Sequence, residues 1–313
     1  MLPPLLILLF TILGIEIIAG FMGNGFIAVL ICSDWIRNRK ISSSDMILIS
    51  LGISRFVLQG TITVYIHSLY FPGMPKLATL YKAFYILWMF VNHASLWFST
   101  WLSVFYCVKI INFTQLILLR MKLRISGMVP WFLLGSVLVS SITTLPMFWI
   151  FPSISSPNST GNHVNNSVKS TALDTSSLSI APLYCAGCFF PLIISFFTSS
   201  LLIASLWKHT KKMQHNTTSC QDPRTSVHIN AIKALVSFLI LYLSSFIAQI
   251  PLILSASQNT PTWEVAVSLV VVAAYPSGHS IIVILMHSKL KQASVRFFTC
   301  TMYHLTKGTP KSH

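Results

Sequence analysis

Two ionisable residues, Glu16 and Arg55, lie inside long apolar stretches of the sequence. A charge within a bilayer is costly, so such residues usually have partners or a function. If the first stretch runs inward and the second outward, both residues lie in the central third of the membrane. We therefore expect Glu16, Asn24 and Arg55 to share a polar network between the first two helices. A fold-specifying salt bridge without ligand contact is the main alternative to a functional role.

A third apolar stretch carries polar and aromatic residues at helical spacing. Trp88, Asn92, Ser95 and Ser99 follow the pattern i, i+4, i+7, i+11, which places them on one face of a helix. An aromatic ring beside a carboxamide can hold a small apolar ligand through one or two hydrogen bonds. Packing between helices explains the same spacing, so both interpretations stay open.

The sequence contains no recognisable catalytic or metal-binding motif. A His-x-x-x-His pair on a span, paired aspartates, GxSxG and nucleotide-binding glycine loops are all absent. We therefore expect neither an enzyme nor a cofactor or metal site. A small-solute transporter remains an alternative, although an ion-coupled one would usually have more carboxylates inside its spans and an inverted repeat.

Composition points to a membrane protein. Of 313 residues, 54% are hydrophobic and only 9% are charged, whereas soluble domains carry about 25% charged residues. The formal charge of +15 comes from basic residues in short segments between apolar runs. Because these residues form no single patch, we expect the chain to contact a lipid bilayer and not nucleic acid.

Seven apolar runs are long enough to cross the hydrocarbon layer, since about 20 helical residues suffice. The sequence thus predicts an all-α membrane protein: one seven-transmembrane helix bundle with a short amphipathic C-terminal helix. Residues 152–180 are expected to form an extracellular loop and residues 288–313 a cytoplasmic tail. The predicted spans are 5–31, 46–69, 83–108, 127–150, 181–207, 231–255 and 264–287.

Positive charge predicts the orientation. Seventeen of the 21 Lys and Arg residues fall on one side of the predicted spans and three on the other. This places the N-terminus outside and the C-terminus in the cytoplasm of a multi-pass plasma-membrane protein. The outer loop holds glycosylation sequons at Asn158 and Asn165. Cys300, on the C-terminal helix, is either a palmitoylation site or an unmodified cysteine.

Several short sequence motifs occur in order along the chain. Through them the chain resembles the type 2 (bitter) taste receptors, a family of G-protein-coupled receptors. The resemblance runs from about residue 10 to about residue 298. Vomeronasal type 1 receptors are the most similar alternative family, and the motifs in spans five and seven argue against membership of that family. The motifs include Asn24-Gly25-Phe26-Ile27, Ile53-Ser54-Arg55, Asn92-His93, Pro130-Trp131, Ser205-Leu206-Trp207-Lys208-His209-Thr210, Tyr275-Pro276-Ser277-Gly278-His279-Ser280 and Lys289-Leu290-Lys291-Gln292.

The resemblance implies roles for individual residues. Trp88 and Asn92 match agonist-contacting positions of the family, and Tyr242 matches an aromatic beneath the pocket. The mid-membrane polar network then includes Asn24, Arg55 and Ser280. The face that meets the G protein includes Tyr106, Lys109, Lys208, His209 and Lys212.

The expected function follows from this resemblance. Small bitter compounds bind in the outer half of the bundle and favour one arrangement of the helices. The inner ends of spans five and six then separate, and a gustducin-like heterotrimeric G protein exchanges its nucleotide. Another chemosensory receptor is the alternative within the same fold.

Overall fold

A computed structural model describes residues 4–70, 78–111, 116–146, 166–216, 223–254 and 262–307. Within these ranges eight α-helices follow one another. They are α1 (Pro4–Asn38), α2 (Ser43–Tyr70), α3 (Ala78–Ile110), α4 (Leu116–Thr144), α5 (Asn166–Asn216), α6 (Pro223–Leu254), α7 (Thr262–Met286) and α8 (Ser288–Lys307).

The turn between α1 and α2 shows how the sequence sets the helix ends. Arg39 has a left-handed backbone conformation (φ 54°), and its N–H donates to the Trp35 carbonyl at 2.8 Å. This closes the last turn of α1. Three residues later, the Ser42 hydroxyl accepts a hydrogen bond from the Asp45 N–H at 3.1 Å, which caps the start of α2.

The first seven helices form a closed bundle around α3. Helix α1 packs against α2 and α7, and α6 packs against α5 and α7. Helix α3 contacts α2, α4 and α5. The fold is therefore the predicted all-α seven-helix bundle, and α8 follows α7 with a single residue, His287, between them.

Six helices of the described chain are long and apolar enough to cross a membrane: α1, α2, α4, α5, α6 and α7. Helix α3 has 33 residues, which is ample length at 1.5 Å per residue. Its central turns carry Asn92, His93, Ser95 and Ser99, and all four are buried inside the bundle. The polar side chains that lower the hydropathy of α3 thus face the other helices.

The outer surface of the bundle is apolar, as lipid contact requires. Large hydrophobic side chains such as Trp131, Ile142, Phe197 and Ile240 are more than 60% exposed in the isolated chain. A soluble protein rarely exposes so much apolar surface. The chain is therefore a multi-pass membrane protein.

Two glycines let α1 approach its neighbours closely. A Cβ on Gly23 would overlap the Ser280 hydroxyl and lie 3.1 Å from the Ser280 Cβ on α7. A Cβ on Gly20 would meet the Gln59 amide of α2 and lie 2.7 Å from the Ser277 hydroxyl of α7. Small residues permit such close packing between membrane helices.

The expected loop at 152–180 needs a correction. Its second part, from Asn166 onward, is helical and continues into α5, which has 51 residues. The Ser- and Thr-rich composition of this segment suggested a loop, but these residues lengthen α5 beyond the apolar span. The sequons at Asn158 and Asn165 lie outside the described residues.

The close α1–α7 contact generates a stability prediction. Gly23→Ala should lower the thermal unfolding midpoint because the new methyl group overpacks against Ser280, at a cost of about 1–3 kcal/mol. Gly14→Ala is the matched control, since a Cβ there meets nothing within 4 Å. Both changes add the same helix propensity, so equal midpoints for the two purified variants would contradict this packing.

Candidate functional site

A cluster of three buried polar side chains joins α3, α5 and α6 in the half of the bundle away from α8. The Asn92 amide donates hydrogen bonds to the Tyr184 hydroxyl and to the Gln249 carbonyl oxygen, both at 2.8 Å. The Tyr184 hydroxyl in turn donates to Gln249. The Gln249 amide donates to Ser245 one turn below, at 2.9 Å. All four residues are at most 2% exposed; we call Asn92, Tyr184 and Gln249 the outer cluster.

Aromatic rings enclose the outer cluster. Trp88 stacks on Tyr184 with ring centroids 5.9 Å apart and planes inclined by 13°, and Tyr85 lies 5.6 Å from Trp88. On the other side, the His93 ring lies 4.9 Å from that of Tyr184. Gly187 makes room for His93, because a Cβ there would come within 2.7 Å of the imidazole. The result is a buried group of three hydrogen-bonding side chains packed among aromatic rings.

One layer deeper lies Tyr242 of α6. It is 1% exposed, and its ring packs 5.3 Å from Tyr275 of α7 and 5.8 Å from Phe238. Tyr242 and Trp88 belong to the same hydrophobic core cluster. Tyr242 therefore connects the outer cluster with the layer around Arg55.

Arg55 lies at the centre of a second polar cluster, which joins α2, α3 and α7. Its guanidinium is fully buried and donates to the Ser95 hydroxyl at 3.2 Å, to the Ser99 hydroxyl at 2.9 Å and to Nδ1 of His279. The guanidinium carbon lies 4.7 Å over the Tyr275 ring, a cation–π geometry. We call Arg55, Ser95, Ser99, Tyr275 and His279 the Arg55 cluster.

A third group of contacts ties α1 to α7. The Asn24 amide donates to the Pro276 carbonyl at 3.3 Å, and Ser277 donates to the Glu16 backbone carbonyl at 2.7 Å. Gln59 of α2 donates to the Ser277 hydroxyl at 2.8 Å. Pro276 lies within α7, and proline leaves backbone groups for partners on other helices.

A cavity of about 470 Å³ opens at the end of the bundle beside α8. It extends from Ser99 and His279 at its inner end to Lys109 and Ser288 at its mouth. Its remaining walls are largely apolar and come mainly from α3, α5, α6 and α7. They include Leu102, Phe105, Leu202, Leu206, Ala234, Leu235, Phe238 and Val283.

Lys109 and His287 line the mouth of this cavity, and further ionisable groups lie next to His287. His287 and Lys289 lie 3.8 Å and 3.6 Å from the Asp45 carboxylate, which links the α7–α8 junction to α2. Burial lowers the pKa of the His287 imidazole, as does Lys289, while Asp45 raises it; the net effect is a lowered pKa. His287 is therefore mostly neutral at neutral pH, and its contact with Asp45 is then not an ion pair.

The comparisons with known proteins match the whole bundle. A family model described as "Taste receptor protein (TAS2R)" matches residues 1–302. Taste receptor type 2 member 40 of Gallus gallus is 39% identical over 280 residues, which cover 88% of this chain and 89% of the relative.

Two primate relatives show the same extent of similarity. Taste receptor type 2 member 41 of Pan troglodytes is 38% identical, covering 91% of this chain and 92% of its own. Taste receptor type 2 member 39 of Homo sapiens is 36% identical, with 93% and 86% covered. The chain belongs to the TAS2R taste receptor family. The resemblance to this family that the sequence motifs indicated is thereby confirmed.

In this taste receptor, the predicted span-three stripe divides between two clusters. Trp88 and Asn92 belong to the outer cluster and its wall, while Ser95 and Ser99 bind Arg55. Tyr242 lies between the two. The helical spacing therefore predicted that these side chains share one face, but it did not predict that they belong to two clusters.

The expected pairing of Glu16 with Arg55 is not found in the described part of the receptor. Arg55 turns toward α3 and α7, where two hydroxyls and an imidazole accept its hydrogen bonds. The side chain of Glu16 is only half-buried, and its Oε2 has no hydrogen-bond partner among the described residues. Equal depth in the membrane did not imply contact, because the two residues face different helices.

Asn24 and Ser280 lie where α1 meets α7, but in the described structure neither bonds to Arg55, so the single network expected around Arg55 is not found. Asn24 reaches the Pro276 carbonyl, whereas the Ser280 hydroxyl donates within its own helix to Ser277 at 2.7 Å. Ser280 therefore contributes mainly through its small size, which lets Gly23 approach.

The residues expected at the G-protein face lie at the cavity end of the receptor. Tyr106 and Lys109 line the cavity itself. Lys208 and His209 are exposed on α5, two and three residues after Leu206 of the cavity wall. The side chain of Lys212 lies outside the described part of the chain.

Four residues were given no role by sequence reasoning: Tyr184, Gln249, His279 and Gln59. Each is a buried polar or aromatic residue inside an apolar span, and a polar residue there indicates function or a partner. His279 occurs in one of the motifs named above, so its depth in the membrane could have suggested a contact with Arg55. The positions of Tyr184 and Gln249 opposite Asn92 depend on helix rotation, which the sequence does not give.

The Arg55 contacts generate a second prediction. Arg55→Met should strongly reduce folded receptor at the cell surface, because Ser95, Ser99 and His279 lose their shared donor inside the bundle. Glu16→Gln should leave surface expression close to wild type, since the carboxylate forms no ion pair in the described structure. Surface immunostaining measures both. An equal loss for Glu16→Gln and Arg55→Met would support the salt bridge instead.

Proposed function

We propose that this protein is a bitter-compound receptor that binds small agonists at the outer cluster and activates a gustducin-like heterotrimeric G protein through the cavity beside α8. The observation that carries the proposal is that α5 and α6 contribute to both sites. They supply Tyr184 and Gln249 to the outer cluster and Leu206 and Ala234 to the cavity wall. Family membership supports a receptor over a transporter.

The outer cluster has the chemistry of a small-molecule site. Trp88 and Tyr184 offer large apolar surfaces, and Asn92 and Gln249 offer hydrogen-bonding groups at one point. Ligand pockets typically combine apolar walls with a few such groups. Agonists should therefore be small, largely apolar molecules with at least one hydrogen-bonding group.

The same cluster supplies a route from binding to helix movement. Asn92 holds α5 and α6 to α3 through two hydrogen bonds. An agonist that takes over one of these bonds removes a constraint on α6, and Tyr242 transmits the shift toward Phe238 at the cavity wall. A ligand changes such an equilibrium only through contacts that differ between the two states.

The cavity suits a partner with an apolar surface that enters from the cytoplasm. Its walls are mostly apolar, and Lys109 at the mouth adds positive charge. With basic residues concentrated at this end, the positive-inside rule supports a cytoplasmic cavity, a cytoplasmic C-terminus and an extracellular N-terminus in the plasma membrane. Glycosylation at Asn158 and Asn165 then falls on the outer side.

Asn92 provides the test of the outer cluster. Asn92→Ala should raise the half-maximal concentration of responsive bitter compounds about tenfold or more, because a buried hydrogen-bonding partner of the agonist is lost. The measurement is a reporter G-protein assay on a bitter-compound panel, normalised to surface expression.

Ser136→Ala is the matched control for Asn92→Ala. Ser136 is also buried and hydrogen-bonded to α3, through Trp101 at 2.8 Å, but lies on α4 away from the outer cluster. Agonist potency should remain near wild type. Unchanged potency of Asn92→Ala for every active compound would remove Asn92 from the site.

Ala234 provides the test of the cavity. Ala234→Trp should abolish agonist-dependent nucleotide exchange because the indole fills space that the G protein requires, while agonist binding persists. Ile240→Trp is the control on the same helix, since Ile240 is 63% exposed on the lipid-facing surface. Normal exchange by Ala234→Trp would exclude this cavity as the coupling site. Solute flux in vesicles without any G protein would favour the transporter alternative.

A further inference from the structure

Arg55 carries a positive charge that no carboxylate balances in the described structure. Its three hydrogen-bond partners are two hydroxyls and an imidazole, and its fourth contact is the Tyr275 ring. The ion pairs of the described chain involve other residues, Arg37 with Asp34 and Lys289 with Asp45. A fully buried guanidinium with neutral partners alone is costly, because dipoles replace only part of its hydration.

The hydrogen-bonding roles around Arg55 follow from the guanidinium, which only donates. Nδ1 of His279 must therefore accept, which places the proton of a neutral imidazole on Nε2. The Ser99 oxygen accepts from Arg55 at 2.9 Å and from the Tyr275 hydroxyl at 3.0 Å. The Ser99 hydroxyl in turn donates to the Ser95 carbonyl at 2.8 Å, so between Ser99 and His279 the donor that remains for a guest is the Nε2–H of His279.

Ser99 and His279 both line the inner end of the cytoplasmic cavity. Apolar residues, among them Leu102 and Phe238, enclose that end, so the field of the guanidinium is weakly screened there. Lys109 at the mouth attracts anions to the entrance. A cavity with a positive inner end and a basic entrance favours a negatively charged guest.

We propose that the inner end of the cavity, beside Ser99, His279 and Arg55, is a binding site for a small monovalent anion, for which chloride is the probe. One negative charge balances the one buried positive charge, and the polar inner end of the cavity lies among apolar walls. The imidazole Nε2–H of His279 is a donor of the kind that holds halides, and the Arg55 guanidinium behind it supplies the balancing positive charge. The site does not depend on the identity of the agonist or of the G protein.

Thermal unfolding of the purified full-length receptor tests this site. Sodium chloride is titrated against sodium methanesulfonate at constant ionic strength, so that general screening stays the same. The unfolding midpoint should rise with chloride and reach a plateau, as mass action requires for a ligand of the folded state. Bromide should replace chloride. Equal midpoints in chloride and methanesulfonate at every concentration would overturn the proposal.

Variants locate the effect at Arg55. Arg55→Gln removes the charge and should abolish the chloride dependence, while Arg55→Lys keeps a cation and should retain it. Arg124→Gln removes an exposed cation from α4 and should leave the dependence as in wild type. A full chloride dependence in Arg55→Gln would place the anion elsewhere and contradict the site.

A second measurement decides the question even if the Arg55 variants fail to fold. Crystals of the wild-type receptor in bromide should show an anomalous scattering peak beside Ser99 and His279. A chloride-dependent midpoint with no such peak, or with peaks only on the outer surface, would contradict the assignment.

Discussion

Buried hydrogen bonds from α3 to its neighbours are the interactions on which the rest of this receptor depends. Helices in a bilayer gain little from hydrophobic burial against one another, so packing and polar contacts hold them together. Asn92 binds α5 and α6, and Ser95 and Ser99 bind Arg55 of α2. Lower on the same helix, Thr100 and Ser103 bond to Ser195 and Ser199 of α5. A change at one of these contacts therefore alters how α3 is held to α2, α5 or α6.

The helices themselves were predictable from composition and run length, because a membrane span must be helical and apolar. Two features of the helices were harder to predict. Helix α3 has a polar inner face, yet its length and aromatic content still marked it as a span. The start of α5 was not predicted, since the residues after Asn166 are as polar as a loop in composition and yet are helical.

The site was predicted only in part, for a geometric reason. Helical spacing correctly placed Trp88, Asn92, Ser95 and Ser99 on one buried face. Spacing within one helix cannot show which residue of another helix lies opposite. Tyr184 and Gln249 were therefore missed, and Arg55 was assigned to Glu16 when its partners lie on α3 and α7. The family resemblance gave the expected roles of these residues, whereas the packing of the helices shows their hydrogen-bond partners.

The central claim is that an agonist at the outer cluster separates the inner ends of α5 and α6. Spin labels at Lys208 and Asn230, both exposed near those ends, would report this separation by pulsed electron resonance. With an active bitter compound, the distance distribution should shift to longer values, and Asn92→Ala should require more compound for the same shift. A distribution that stays unchanged at saturating agonist would contradict the account.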